Sequence, residues 1–212
     1  MEKLSYDGFT RARDYILTHS EEIGRAWFRY QFEDSGPQAF LEVLAQYQRE
    51  SGGFGGLYYE YDYQGVCLKS TEVALRYLMG MDERPGAGHP VIRNTMRFLL
   101  DQYRPEIGNW GEVLVPEVNQ GVHCYWSSYK EEEIRPMEQE ERVRAYDGNE
   151  KACFAGFVSY YSQLVPEELY RDILQYPVEH ILRYWDEKSL EYDRRIFNKG
   201  EPYNFEYFLD FV

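Results

Sequence analysis

Glu60 and Asp62 stand one residue apart in an aromatic run, Tyr58-Tyr59-Glu60-Tyr61-Asp62-Tyr63. Neighbouring carboxylates push one pKa up, so that one group can donate a proton while the other accepts. Farther along, Glu112, Glu117, Asn119, His123 and Trp126 gather in a stretch without periodicity. Brought together, these groups suit general acid–base work, with Glu60, Asp62 and His123 as the catalytic candidates. They equally suit sugar hydrolysis, where two acids flank the bond, or a divalent cation held by oxygens and one imidazole. No residue is assigned as a metal ligand. Tyr58 and Tyr61 offer stacking faces for a sugar or a cation, and Glu117, Asn119 and Trp126 complete the ligand-binding set. The same residue types have plainer uses. Acids cap helices, a histidine among aromatics hydrogen-bonds in place, tryptophans (Trp110, Trp126) fill cores, and tyrosines wedge a loop down.

Convergence of two loops needs elements that repeat. Two segments share one pattern: an amphipathic helix, a glutamine near its end, then a glycine-rich turn closing on an aromatic. The first runs through Phe40, Leu41 and Leu44 to Gln48, then Gly52-Gly53-Phe54-Gly55. The second runs through Phe98, Leu99 and Leu100 to Gln102, then Gly108-Asn109-Trp110-Gly111. They lie about 55 residues apart, the length of one helical-hairpin repeat. A helix pair that cannot bury its face alone stacks on a copy of itself, and equivalent loops then meet at one rim.

The remaining pattern is helical. From about Thr10 to Gln31, Ala12, Tyr15, Ile16, Ile23, Ala26, Trp27 and Tyr30 recur at helical spacing. Asp34-Ser35-Gly36-Pro37 breaks the chain and opens the next helix. Ser70-Thr71-Glu72 opens another, and a further one runs from Val91 to about Tyr103. The segment from about Gly111 to Asp147 is non-periodic, aromatic at first and acidic later, and the part near 128–147 is expected to be mobile. Helix resumes near Asn149 and again at Pro166. With six or seven helices and no β–α alternation, the expectation is one all-α domain over residues 1–212.

Bulk properties exclude several classes. A formal charge of −14 disfavours nucleic acid and anionic lipid surfaces. No run of about 18 apolar residues exists to span a membrane. The start, Met1-Glu2-Lys3-Leu4, lacks the pattern of a secretory signal, which predicts a cytoplasmic protein. Cys67, Cys124 and Cys153 are odd in number and lack zinc-ribbon spacing, so they read as reduced, buried thiols. The content of 21 tyrosines, 12 phenylalanines and 4 tryptophans suits an aromatic-lined cavity or a layered helical core.

The motif Gln48-x3-Gly52-x-Phe54 resembles the glutamine/tryptophan repeat of the squalene–hopene cyclases and the wider terpenoid cyclase and protein prenyltransferase superfamily. There the glutamine ties one helix end to the start of the next. More of the chain is similar to a bacterial group of squalene-cyclase-like proteins. The likeness covers Tyr47-Gln48 with Gly52-Gly53-Phe54-Gly55, then Glu60-Tyr61-Asp62 with Ser70-Thr71-Glu72-Val73-Ala74-Leu75. It continues in Pro116-Glu117-Val118-Asn119 with His123 and Trp126, and in Asn149-Glu150-Lys151-Ala152. The resemblance implies an α/α toroid: inner and outer helices alternating around a central cavity that takes a small molecule. The chain supplies about three and a half of the six hairpins a full ring needs. An apolar run at Phe205–Val212 then wants a partner, and a homodimer is expected. Neither signature chemistry of the superfamily carries over. The chain has no Asp-x-Asp-Asp run for protonation and no Asp-x-Cys pair for zinc. Three functions stay open: a cyclase- or prenyltransferase-like protein with an apolar ligand, a carbohydrate-active enzyme (hydrolase, lyase or epimerase), and a non-catalytic binding or interaction module.

Overall fold

A computed structural model describes residues 4–57, 65–110, 112–113, 128–129, 138, 150–186 and 191–192. Among these, seven α-helices dominate and the strands are two-residue pieces, so the class is all-α. The helices are α1 Tyr6–His19, α2 Glu22–Phe32, α3 Pro37–Ala45, α4 Leu68–Met79, α5 Pro90–Gln102, α6 Glu150–Tyr160 and α7 Glu167–Tyr184. No described helix is long and apolar enough to cross a membrane.

The long N-terminal pattern divides into α1 and α2. Ser20 leaves helical geometry at φ −78°, ψ 158°, and its carbonyl accepts from the Arg25 guanidinium. Serine competes for backbone hydrogen bonds in non-helical geometry, which favours a break here. The fold-back lets Phe9 of α1 stack on Phe28 of α2 at 6.0 Å. Helix α4 starts before the position that Ser70-Thr71-Glu72 suggests. Cys67 is its N-cap, with the sulfur accepting from Ser70 N–H at 3.4 Å and the carbonyl accepting from the Thr71 hydroxyl at 3.0 Å.

Packing sorts the helices. α2 lies on α3, α4 on α6, and α6 on α7. α4 buries seven of its residues, and in α6 every residue from Cys153 to Val158 is buried. A helix buried nearly all round belongs in a core, so α4 and α6 form the centre. Trp27, Phe40 and Tyr77 knot α2, α3 and α4 together, with centroids 5.0–5.5 Å apart.

The tyrosine surplus has a double use here. Rings pack inward while hydroxyls pin loops. The Tyr30 hydroxyl accepts from Asp82 N–H at 3.1 Å, and Tyr161 donates to the Pro85 carbonyl at 2.7 Å. Both hold the connection between α4 and α5.

Candidate functional site

The two glycine–aromatic turns are built and docked alike. In the first, Gln48 and Phe54 form an antiparallel bridge. In the second, β1 (Tyr103–Arg104) pairs with β2 (Asn109–Trp110), setting Tyr103 opposite Trp110. The structural counterpart of Gln48 is therefore Tyr103, not Gln102. The second turn holds one more residue between its paired positions, which disguises the match in sequence.

Each turn is wedged against the next two helices of the chain. Phe54 is fully buried, and its N–H donates to Thr71 Oγ1 of α4 at 3.0 Å. Trp110 is 1% exposed and meets Phe154 of α6 edge-on at 5.3 Å, while its indole N–H donates to the Leu99 carbonyl at 2.9 Å. The glycines then face one helix farther. A Cβ on Gly52 would lie 2.0 Å from the Asn94 carbonyl oxygen of α5, and one on Gly108 would lie 2.4 Å from the Tyr176 ring of α7. Both glycines have positive φ, 99° and 62°, a region that costs other residues energy.

The polar clamps match as well. Gln48 Nε2 donates to the Gly52 carbonyl at 2.9 Å, to Thr95 Oγ1 at 3.0 Å and to the Val91 carbonyl at 3.1 Å, the last two on α5. Tyr103 donates to Asp172 Oδ2 on α7 at 2.7 Å. The glutamine thus ties its turn to α5 rather than to α4, the helix that follows it in the chain.

These turns hold the ends of both candidate loops. Gly55 pairs with Val66, and Cys67 N–H donates to the Phe54 carbonyl at 3.1 Å, so the chain on either side of 58–64 is fastened together at the start of α4. Strand β3 (Glu112–Val113) pairs in parallel with β4 (Ser128–Tyr129), joining the chain on either side of 114–127. Glu60, Asp62 and His123, with Tyr58, Tyr61, Glu117, Asn119 and Trp126, lie outside the described residues. So does most of the acidic 128–147 segment.

No protein-family model, curated protein or solved structure matches this chain.

One cluster of ionisable groups at the centre is not among the candidates that the sequence pattern singles out. Glu72 of α4 is 2% exposed. Its carboxylate meets Lys69 Nζ at 2.7 Å and Arg76 Nε at 3.0 Å, one helical turn to either side. Charges this deep need partners, because desolvation costs far more than an isolated ion can recover. The spacing 69, 72, 76 is the i, i+3, i+7 row of one helix face. The row lies on a helix that also buries Ser70 and Thr71, and the sequence alone does not separate it from a solvated face. Such a trio can hold a carboxylate fixed and can present ammonium and guanidinium donors toward a polar group. Among the described residues, no group of three His, Cys, Asp or Glu side chains is arranged to hold a metal.

Two phenols of the α2–α4 region, Tyr47 and Tyr77, stay protonated beyond their usual range. Burial raises the Tyr47 pKa, helped by the negative charges of Glu21 and Glu22. Burial also raises that of Tyr77, with smaller contributions from Tyr47 and Glu21.

Proposed function

We propose that this protein is an α/α-toroid-like array that binds a small polar ligand beside its central helices. In this reading α4 and α6 are inner helices, α3, α5 and α7 are outer ones, and the loops 58–64 and 111–127 share a rim. The repeated docking of the two glycine–aromatic turns supports that alternation, since each turn meets the next inner and the next outer helix in the same way. The observation that carries the ligand class is the Lys69–Glu72–Arg76 row on a central helix. An isoprenoid tunnel wants apolar walls. A charged row favours a hydroxyl-rich ligand such as an oligosaccharide, recognised by carboxylates and cations with aromatic faces for stacking. The acid pair Glu60 and Asp62, with His123, then supplies the acid–base groups if the ligand is also transformed.

A thermal-shift screen against oligosaccharides, prenyl diphosphates and divalent metal ions tests this. An oligosaccharide should raise the melting temperature, and the rise should vanish in Glu60→Ala, Asp62→Ala, His123→Ala and Glu72→Gln. Stabilisation by a prenyl diphosphate alone would overturn the polar reading. Stabilisation left intact in all four variants would remove the site. We also propose a homodimer, which a monomeric mass by light scattering would refute.

A further inference from the structure

Away from that centre, one flank of α5 carries a depression of about 280 Å³ lined by Arg93, Met96, Arg97, Leu100, Asp101 and Leu164. We propose that it binds a short-chain amphiphilic monocarboxylate, with the head on the two arginines and the tail on Met96, Leu100 and Leu164. Arg93 and Arg97 sit one turn apart on the same face, where like charges repel unless an anion lies between them. They form a cationic spot on a chain of net charge −14. Arg97 is steadied by donating from Nη2 to the Glu50 carbonyl at 2.9 Å. The Arg93 side chain is exposed and makes no hydrogen bond or ion pair among the described residues. A guanidinium matches a carboxylate with two parallel N–H donors.

The apolar side of the depression is solid. Met96 is 2% exposed and belongs to the main core, and Leu100 and Leu164 pack against that core while remaining half-buried. Asp101, one turn beyond Arg97 on the same face, also lines the depression. The volume lies just below the usual range of ligand sites, about 300–1,000 Å³. At water's share of about 30 Å³ each it holds roughly nine heavy atoms. That is close to the size of octanoate.

The test is a heteronuclear NMR titration of the full chain with octanoate, with octanol and octylammonium as controls. Octanoate should shift amide signals of α5 and of the segment around Leu164, in the millimolar range or tighter. The uncharged and cationic analogues should bind at least about tenfold more weakly, the loss expected when a charge-assisted contact is removed. Arg93→Gln should weaken octanoate by a similar factor without moving the melting temperature, because that side chain holds nothing among the described residues. Leu100→Asn should weaken octanoate and octanol together. No α5 shifts up to millimolar octanoate, equal binding of octanol, or unchanged affinity in Arg93→Gln would each overturn the proposal.

Discussion

Replacing Gln48 by alanine tests the claim that a single side chain couples the first turn to α5. Its amide has two hydrogens and serves three acceptors at 2.9, 3.0 and 3.1 Å, so one bond is shared. Each such bond contributes about 1 kcal/mol net. The Val91 carbonyl keeps the Thr95 hydroxyl as a second donor at 2.7 Å, so it is not orphaned by the change. The Gly52 carbonyl loses the amide in a buried setting, which adds about 1 kcal/mol or more. The expected loss is about 2–4 kcal/mol, a large part of the roughly 5–15 kcal/mol that holds a domain folded. At 212 residues it corresponds to a fall in Tm of about 5–15 °C. Urea unfolding followed by circular dichroism measures it. A double-mutant cycle with Thr95→Val should return a coupling of about 1 kcal/mol, because the two side chains are in direct contact. Gln48→Glu should be worse than alanine, since a carboxylate would face two carbonyl oxygens. A loss below about 0.5 kcal/mol, or strict additivity in the cycle, would refute the clamp.

Glycine positions separate crowding from backbone strain. Gly52→Ala places a methyl 2.0 Å from a backbone oxygen and should cost about 4 kcal/mol or prevent folding, whereas Gly36→Ala, at φ 77°, ψ 156° with nothing within 4 Å, should cost about 1–3 kcal/mol from backbone strain alone; equal urea midpoints would contradict the geometry. Tyr103→Phe keeps the ring and removes the bond to Asp172, so a loss of about 1.5–3 kcal/mol is expected, and adding Asp172→Asn to Tyr103→Phe should recover none of it. Burial pushes the Tyr161 phenol up to about 12, opposed only weakly by Arg84. The unfolded chain gives up that proton near pH 10, so stability holds below pH 10 and declines between about pH 10 and 12. The decline is at most about 2.7 kcal/mol, and about half that once solvent screening is allowed for. Tyr161→Phe should therefore differ from the parent by less at pH 11 than at pH 8, and an equal difference at both would refute the assignment.

The helical class and most helix starts are legible in the sequence because periodicity and punctuation agree. Pro37 and Pro90 stand at the first positions of α3 and α5, and Gln48-x3-Gly52-x-Phe54 announces a turn that the structure builds with Gln48 paired to Phe54. What stays illegible is tertiary. The break at Ser20 depends on Phe9 finding Phe28, and apolar spacing runs on across it. The role of Tyr103 is hidden because a phenol and an amide perform the same bridging task with different reach, and the extra residue in the second turn shifts the alignment. The row through Glu72 is hidden because charges at helical spacing ordinarily mark a solvated face. Only burial shows that its carboxylate, Glu72, is not solvated.

That burial bears on function as well as on folding. A buried ion cluster is weak evidence for stability, because apolar side chains of similar size commonly do as well or better. Helix α4 could bury a leucine at position 72 with no desolvation cost, and its neighbours Leu68, Leu75 and Leu78 do so elsewhere on the helix. A carboxylate there, flanked by an ammonium and a guanidinium, gives up packing energy, which supports the polar site proposed above. The fixed turns explain how such a group could be used. Gly55 with Val66, and Cys67 with Phe54, bring the chain that carries Glu60 and Asp62 into α4 only a few residues before Lys69. A paired charge on a central helix, with the chain on either side of 58–64 fastened at that helix's start, supports the proposed polar binding site.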